Sequence, residues 1–296
     1  MIKKFLNYLQ YEKRSSTNTL GAYKKDLEQF EEYCFTVEAQ STSEDQSFDI
    51  SQAKFELVRG WVVSLIDQKL SPRSVNRKIA SLNAYYRYLL ERNIIQEMPT
   101  KKLKSLKVSK KLPHFVKEQE IPQLFSIDNF STSKYPERDR LVIELFYGTG
   151  IRLSELINIK VGDISLTGKH LKVLGKRDKE RLIPIHFDLV LLLEQYLEKH
   201  VKDEGDYLIT TPRGKQAYPS MIQKIVRNYL TKASSAEKKS PHILRHSFAT
   251  HLLNNGAELN AIKDLLGHAN LSATQIYTHN SIGRLKKIFN KTHPKS

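Results

Sequence analysis

The stretch HILRHSFATHLLNNGAELNAIKDLLGHANLSATQIYTHN, residues 242–280, reads as three short helices in succession. Ser240 and Pro241 precede it as an N-cap and a first-turn proline, so His242 falls in the opening turn of the first helix. His242 and Arg245 are three apart and therefore neighbours on one helical face. The unpaired N–H groups of that turn favour an anion. An imidazole, a guanidinium and a helix N-terminus at one spot describe a phosphate site. AIKDLLGHAN ends a second helix at Gly267 and puts His268 in its exit. NLSATQIYTH starts a third, with Ser272 as its cap and Tyr277 about one and a half turns in. The chain doubles back between His268 and Tyr277, so both can face the same place.

Upstream, the second part of the chain mixes helix and strand. PERDRLVIELFYGTG (136–150) is an apolar helix ended by Gly148 or Gly150, and IRLSELINIK (151–160) begins another. KHLKVL (169–174) and ERLIPI (180–185) are short apolar or β-branched runs around the turn-rich GKRDK, which predicts a β-hairpin with Lys176 at its tip. FDLVLLLEQYLEKH (187–200) and PSMIQKIVRNYLTKA (219–233) are helical.

Residues 1–100 read as helices throughout. IKKFLNYLQYEKR places Phe5, Leu6 and Leu9 at helical spacing, and the next segment repeats this with Leu20, Tyr23, Leu27, Phe30 and Cys34. FELVRGWVVSLIDQ (55–68) is a third helix. The fourth, SPRSVNRKIASLNAYYRYLLERN (71–93), is capped by Ser71 and Pro72 and aligns Val75, Ile79, Leu82, Tyr86 and Leu89 on one face. EAQSTSEDQSFD (38–49) lacks periodicity and reads as a loop. KKLKSLKVSKKLP (101–113) has no acid and ends in proline, so like charges keep it extended and exposed as a linker. The expected fold class is mainly α with a small antiparallel β-sheet: a helical domain at 1–100, a basic linker at 101–113 and a mixed domain at 114–296.

Charge supplies the first functional clue. The net charge is +16 and unevenly spread. Residues 1–100 hold 14 Lys and Arg against 13 Asp and Glu; the remainder holds 34 against 19. This asymmetry points to a polyanion, either nucleic acid or an acidic membrane surface. In the fourth helix Arg73, Arg77 and Arg87 lie off the apolar face, with Lys78 beside them and no acid between residues 68 and 90. Their functional reading is contact with DNA phosphates, shared by the linker residues Lys104, Lys107 and Lys110. The plain reading is a solvated helix face. The single cysteine, Cys34, excludes an internal disulfide or a cysteine-rich zinc site and reads as a small core residue. The N-terminus has no signal-peptide run, and no segment is long and apolar enough to cross a membrane, so a cytoplasmic location is expected. His242 and His246 have zinc-pair spacing, but no glutamate follows the first and no third ligand is apparent; no metal and no cofactor are expected.

Four motifs in order carry a resemblance: GTGIRLSELINI around Arg152, VLGKRDKERLIPI around Lys176, HILRHSFATHLL with His242 and Arg245, and LLGHANLSATQIYTH with His268 and Tyr277. With them residues 112–296 resemble the catalytic domain of tyrosine recombinases, the phage integrase family. Residues 1–100 resemble that family's core-binding domain. The match is to the Xer branch of XerD and XerC type, the XerD type especially. The resemblance implies a two-domain clamp on double-stranded DNA, cleavage by Tyr277 to a 3′-phosphotyrosyl link, and protonation of the departing 5′-oxygen by Lys176. It implies that Arg152, Arg245, His242 and His268 attend the phosphate, with Glu155 supporting the site without reacting. Arg177 stands where the family often has glycine, so Lys172 and Lys179 stay open beside Lys176. Further implications are a tetramer on two DNA sites, with itself or with a second recombinase, and a C-terminal helix docked on a neighbouring protomer through Ile282, Leu285, Ile288 and Phe289. Chromosome-dimer resolution at a terminus site is the expected role, with a FtsK-type translocase as a partner left open. The alternatives are an integrase or invertase of a mobile element, a type IB topoisomerase, and a non-catalytic DNA-binding protein.

Overall fold

The computed structural model describes residues 1–39, 48–109, 115–175, 180–200, 203–267 and 279–294. The chain divides into two compact units, Met1–Lys111 and Leu112–Ser296.

The first unit is helical: α1 (Ile2–Asn7), continued by a π-helical turn at Tyr8–Glu12, then α2 (Thr17–Ala39), α3 (Phe55–Asp67) and α4 (Pro72–Glu91). The apolar faces read from the spacing meet in one core. Leu27, Phe30 and Cys34 of α2 pack with Val58, Trp61 and Leu65 of α3 and with Val75, Ile79, Leu82, Tyr86 and Leu89 of α4. Each large side chain so buried contributes about 1.5–3 kcal/mol. The α4 cap is formed as expected, Ser71 Oγ accepting the Ser74 N–H at 3.2 Å.

This core encloses a charge cluster. Asp26 of α2 is fully buried and faces α4. Arg77 Nη2 donates to its Oδ1 at 2.8 Å, Lys78 Nζ at 3.0 Å and Ser81 Oγ to Oδ2 at 2.7 Å, while Arg77 Nη1 also bonds Oδ2. Two of the expected DNA contacts, Arg77 and Lys78, are thus engaged within the unit. Lys78 is 6% exposed and spends its ammonium on Asp26 and Gln29. Arg77, half exposed, is held by the same carboxylate. A buried carboxylate demands cations, and α4 supplies them from one turn. Arg73 and Arg87 remain exposed on α4.

The segment after α4 does not leave the unit at residue 101. Leu103 and Leu106 pack on the same core, and the Asn76 side chain pins Leu106 through both its N–H (2.8 Å) and its carbonyl (2.9 Å). Lys104 and Lys107 between and beyond these anchors are exposed; Lys110 lies outside the described residues.

The second unit is built around α7 (Pro136–Thr149). From Leu141 onward it is buried on all sides, with Leu141, Val142, Ile143, Leu145, Phe146 and Tyr147 fully so, as a central helix requires. The short helices α5 (Ile121–Leu124) and α6 (Ile127–Ser131) precede it and α8 (Leu153–Asn158) follows. A three-stranded antiparallel sheet comes next: β1 (Ile164–Ser165), β2 (His170–Leu174) and β3 (Glu180–Pro184), in that order. The expected hairpin is β2 and β3, in register from His170 opposite Pro184 to Leu174 opposite Glu180. Then follow α9 (Phe187–His200), α10 (Pro219–Ala233), α11 (Pro241–Asn254), α12 (Leu259–Leu266) and α13 (His279–Thr292). α11 and α9 pack directly on α7.

The C-terminal helix is covered within this chain. Leu285, Ile288 and Phe289 of α13 are packed against Phe248 and Leu252 of α11 and Ala261 and Leu265 of α12, in the same unit. The stripe is strongly apolar, and α11 and α12 offer a matching apolar surface within the chain. Among the described residues no helix is long and apolar enough to cross a membrane.

Candidate active site

The site begins where α7 stops. Gly150 closes that helix in the left-handed region, φ +61°. A Cβ there would stand 2.5 Å from the Phe248 ring and 2.9 Å from Leu266, so both conformation and space call for glycine. The chain emerges extended at Arg152, the N-cap of α8. Three residues on, Glu155 reaches back and its Oε2 accepts the Arg152 N–H at 2.8 Å, the carboxylate half of a capping box.

Glu155 is 5% exposed and lies between two guanidiniums. Arg152 Nη1 donates to its Oε1 at 2.6 Å. From β3, Arg181 makes a fork on both oxygens at 2.6 and 2.8 Å. Burial works to raise the carboxyl pKa; the bonds and charge of Arg181, joined by those of Arg152, outweigh it and bring it down to about 2. The carboxylate is thus charged at neutral pH.

The same guanidiniums converge on the end of α12. The last carbonyls of a helix have no partner inside it and carry its negative dipole end. Here Leu265 O accepts from Arg181 Nε at 3.2 Å, Leu266 O from Arg245 Nη2 at 2.7 Å and Gly267 O from Arg152 Nη2 at 2.8 Å. Arg245 Nη1 also bonds Gly150 O. Gly267 is left-handed, φ +64°, and a Cβ on it would press within 3.0 Å of the Arg181 side chain. Three cations thus cap one helix, and two of them hold one acid. Arg245 registers the surplus: burial first, and then the Arg152 charge, lower its pKa to about 10, which leaves it charged at neutral pH.

The structure therefore brings together Arg152, Arg245 and Glu155 among the residues singled out from sequence. His242 is exposed in the first turn of α11, three residues before Arg245. Lys176, His268 and Tyr277 lie outside the described residues, as does Lys179; His268 directly follows Gly267, whose carbonyl Arg152 holds. Lys172 stands in β2 with Asp163 at 3.6 Å and Glu180 at 3.8 Å. Arg181 was not anticipated. Its signal was strand parity: β3 alternates so that Arg181 and Ile183 point inward, and a charged residue on the inward parity calls for a buried partner.

Known proteins resemble this chain in sequence and in fold. Residues 114–284 match the phage integrase family, and residues 2–93 match the phage integrase N-terminal SAM-like domain. The chain is 38% identical to a tyrosine recombinase XerC of Chlorobaculum parvum over 317 aligned positions, covering 99% of this chain and 94% of that one. It is 33% identical to a tyrosine recombinase XerD of Staphylococcus haemolyticus, covering 100% and 99%. Among solved structures, XerH site-specific recombinase bound to palindromic difH substrate in a post-cleavage complex shares the fold with a TM-score of 0.71 at 24% identity, over 97% of this chain and 83% of that one. The Tn1549 transposon integrase in complex with circular intermediate DNA does so at 0.68 and 17%, over 96% and 97%.

Proposed function

The chain belongs to the phage integrase family and is a tyrosine-type site-specific recombinase, and on that premise we propose that it cuts and rejoins duplex DNA through Tyr277, with Arg152 and Arg245 holding the scissile phosphate. The observation that carries the reading is the pair of arginines fixed at the end of α12. Displacement at a phosphodiester builds negative charge on the nonbridging oxygens. Two oriented guanidiniums meet that charge with permanent cations and forked donors. Each is fixed in place by two or more bonds to protein oxygens and retains further N–H donors.

Tyr277 supplies the phenolic oxygen. Its bond to phosphorus forms as the bond to the 5′-oxygen breaks, leaving a 3′-phosphotyrosyl ester. The phenolic proton passes to a base, His242 or His268, and Lys176 gives a proton to the 5′-oxygen. A phenol has a pKa of about 10, well below an alkyl alcohol, so a DNA 5′-hydroxyl can later displace it and the strand is rejoined without ATP. The partner is double-stranded DNA, engaged by a multimer of recombinase protomers; XerH and the Tn1549 integrase were each solved with DNA, which supports this. Relatives carrying both Xer names, matched over nearly their full length, favour resolution of chromosome dimers over integration of a mobile element.

The test is a duplex nicked near the cleavage position and drawn from the host's replication terminus, incubated in excess EDTA. A covalent protein–DNA adduct is expected on a denaturing gel with the wild-type chain. None is expected with Tyr277→Phe, which loses one oxygen and no charge and should bind DNA as before. An adduct formed by Tyr277→Phe, or activity restored only by zinc or magnesium, would overturn the reading. Adducts on mobile-element ends but not on terminus DNA would favour an integrase.

A further inference from the structure

We propose that Arg181 is a positioning residue of the recombinase, setting both the orientation and the charge of Arg152 through Glu155. The proposal rests on the functional reading above and assigns a role to a side chain that does not itself meet DNA. Arg181 is 5% exposed, so its guanidinium works on the protein. One side chain bonds three elements: it grows from β3, forks onto Glu155 of α8 and reaches the Leu265 carbonyl at the end of α12. It stands one residue into β3, and its pair in β2 is Val173.

Charge counting shows what its loss does. Glu155 alone beside Arg152 would neutralise it. With Arg181 on the far side the carboxylate is shared, its Oε1 lying 2.6 Å from Nη1 of each arginine. Three guanidiniums and one carboxylate leave a surplus of two positive charges. Arg152, a third exposed, and the partly buried Arg245 are the groups left to present it to an anion. Orientation follows from the same bonds. A carboxylate gripped by a bidentate fork cannot rotate about its last torsion, so the N–H and Nη1 of Arg152 meet fixed acceptors. A purely structural ion pair would explain the burial but not the sharing of one oxygen between the buried arginine and the exposed one. Such pairs are in general replaceable by apolar neighbours without loss of stability.

The experiment compares two scissile groups in the nicked duplex: an ordinary phosphate, and a methylphosphonate in which methyl replaces one nonbridging oxygen and removes the charge the arginines must balance. Single-turnover cleavage, duplex affinity and thermal melting are measured for wild type, Arg181→Lys and Arg181→Gln. On phosphate, Arg181→Gln should lose roughly ten- to a hundredfold in rate. Arg181→Lys, which keeps the charge but not the fork, should fall between it and wild type. Affinity should hold within about twofold, since binding energy comes mainly from other phosphates. On methylphosphonate the defect of both variants should shrink to under about threefold, because the charge term is gone.

Equal losses on both substrates would mean general damage to the fold and would overturn the proposal, as would unchanged cleavage of the phosphate duplex. Should Arg181→Gln not fold, Arg181→Lys alone carries the comparison, with Glu155→Gln as the second arm. Glu155→Gln raises the positive surplus but removes the carboxylate that Arg181 grips, so adding Arg181→Lys to it should cost little more. Additive losses would show that Arg181 acts independently of Glu155. Failure of the wild-type chain to form an adduct on phosphate DNA is a different result, and removes the recombinase reading itself.

Discussion

A guanidinium stabilises a transition state only if its plane is held before the charge develops. Both arginines here meet that condition through backbone carbonyls: Arg152 at Gly267, Arg245 at Leu266 and Gly150. Carbonyl acceptors fix a cation without neutralising it, which a second carboxylate would not do. The lysine has the opposite requirement, since it must give its proton away. Lys176→Ala should slow cleavage of ordinary duplex by about 100-fold, within the range of a lost general acid. A duplex with a 5′-thiolate leaving group needs no protonation, so the variant should cleave it within a few-fold of wild type. Equal defects on the two duplexes would transfer the acid to another group, Lys179 before Lys172, whose ammonium lies near two carboxylates. Arg245 could be singled out from its spacing to His242, while Arg152 and Glu155 were singled out only through motifs that resemble a known family. Arg181 and Asp26 were not singled out. Their partners lie 26 and 51 residues away, and no local pattern announces a contact made by tertiary packing.

At the scale of elements, helix placement was legible and helix allegiance was not. Periodicity located α2, α3, α4 and α11 because an apolar stripe must face a core. It also marked α13 as amphipathic, yet a stripe does not specify which surface covers it; the chain uses its own α11 and α12. The basic face of α4 shows the same ambiguity. Arg73, Arg77, Lys78 and Arg87 looked alike in sequence, but only Arg73 and Arg87 point to solvent uncommitted to Asp26. Asp26→Asn should therefore destabilise the first unit by about 3 kcal/mol, because Lys78 is left buried without its counter-charge. Thermal melting measures this. The pH dependence gives a second reading. Burial works to raise the Asp26 carboxyl, but bonds from Arg77, Ser81 and Lys78 hold it below the ordinary value. Its contribution is complete above the unfolded pKa, near 4, and is lost as pH falls through the lower folded value. Wild type should lose stability across that acid range more steeply than Asp26→Asn, and parallel curves would show that the carboxylate is not what α4 is held by.

On the scale of the whole molecule the governing quantity is the +16 charge and where it is placed. The first unit, despite its exposed arginines, is nearly neutral to residue 100, and the excess begins with the lysines of KKLKSLKVSKK (101–111). The described part of that run is not loose chain. Leu103 and Leu106 anchor it to the first unit, and Asn76, three residues beyond Arg73, holds Leu106 on both sides. Lys104 and Lys107 are thereby exposed on a fixed support, a better arrangement for phosphate contact than a flexible tether, because little side-chain and backbone freedom is left to lose on binding. Each phosphate so neutralised steepens the log–log dependence of affinity on salt by about 0.9. Replacing Lys104, Lys107 and Lys110 with glutamine should flatten the slope by roughly 2–3 units if all three make contact. Affinity should drop on target and random duplexes alike, because phosphate contacts position the protein and carry no sequence information. Arg73→Ala or Arg87→Ala should instead reduce the preference for target DNA if either side chain reaches a base edge. A salt titration on both duplexes distinguishes these outcomes. An unchanged slope in the triple variant would place the lysines against solvent, and the charge that draws this recombinase to DNA would then have to lie in the basic surface of residues 112–296.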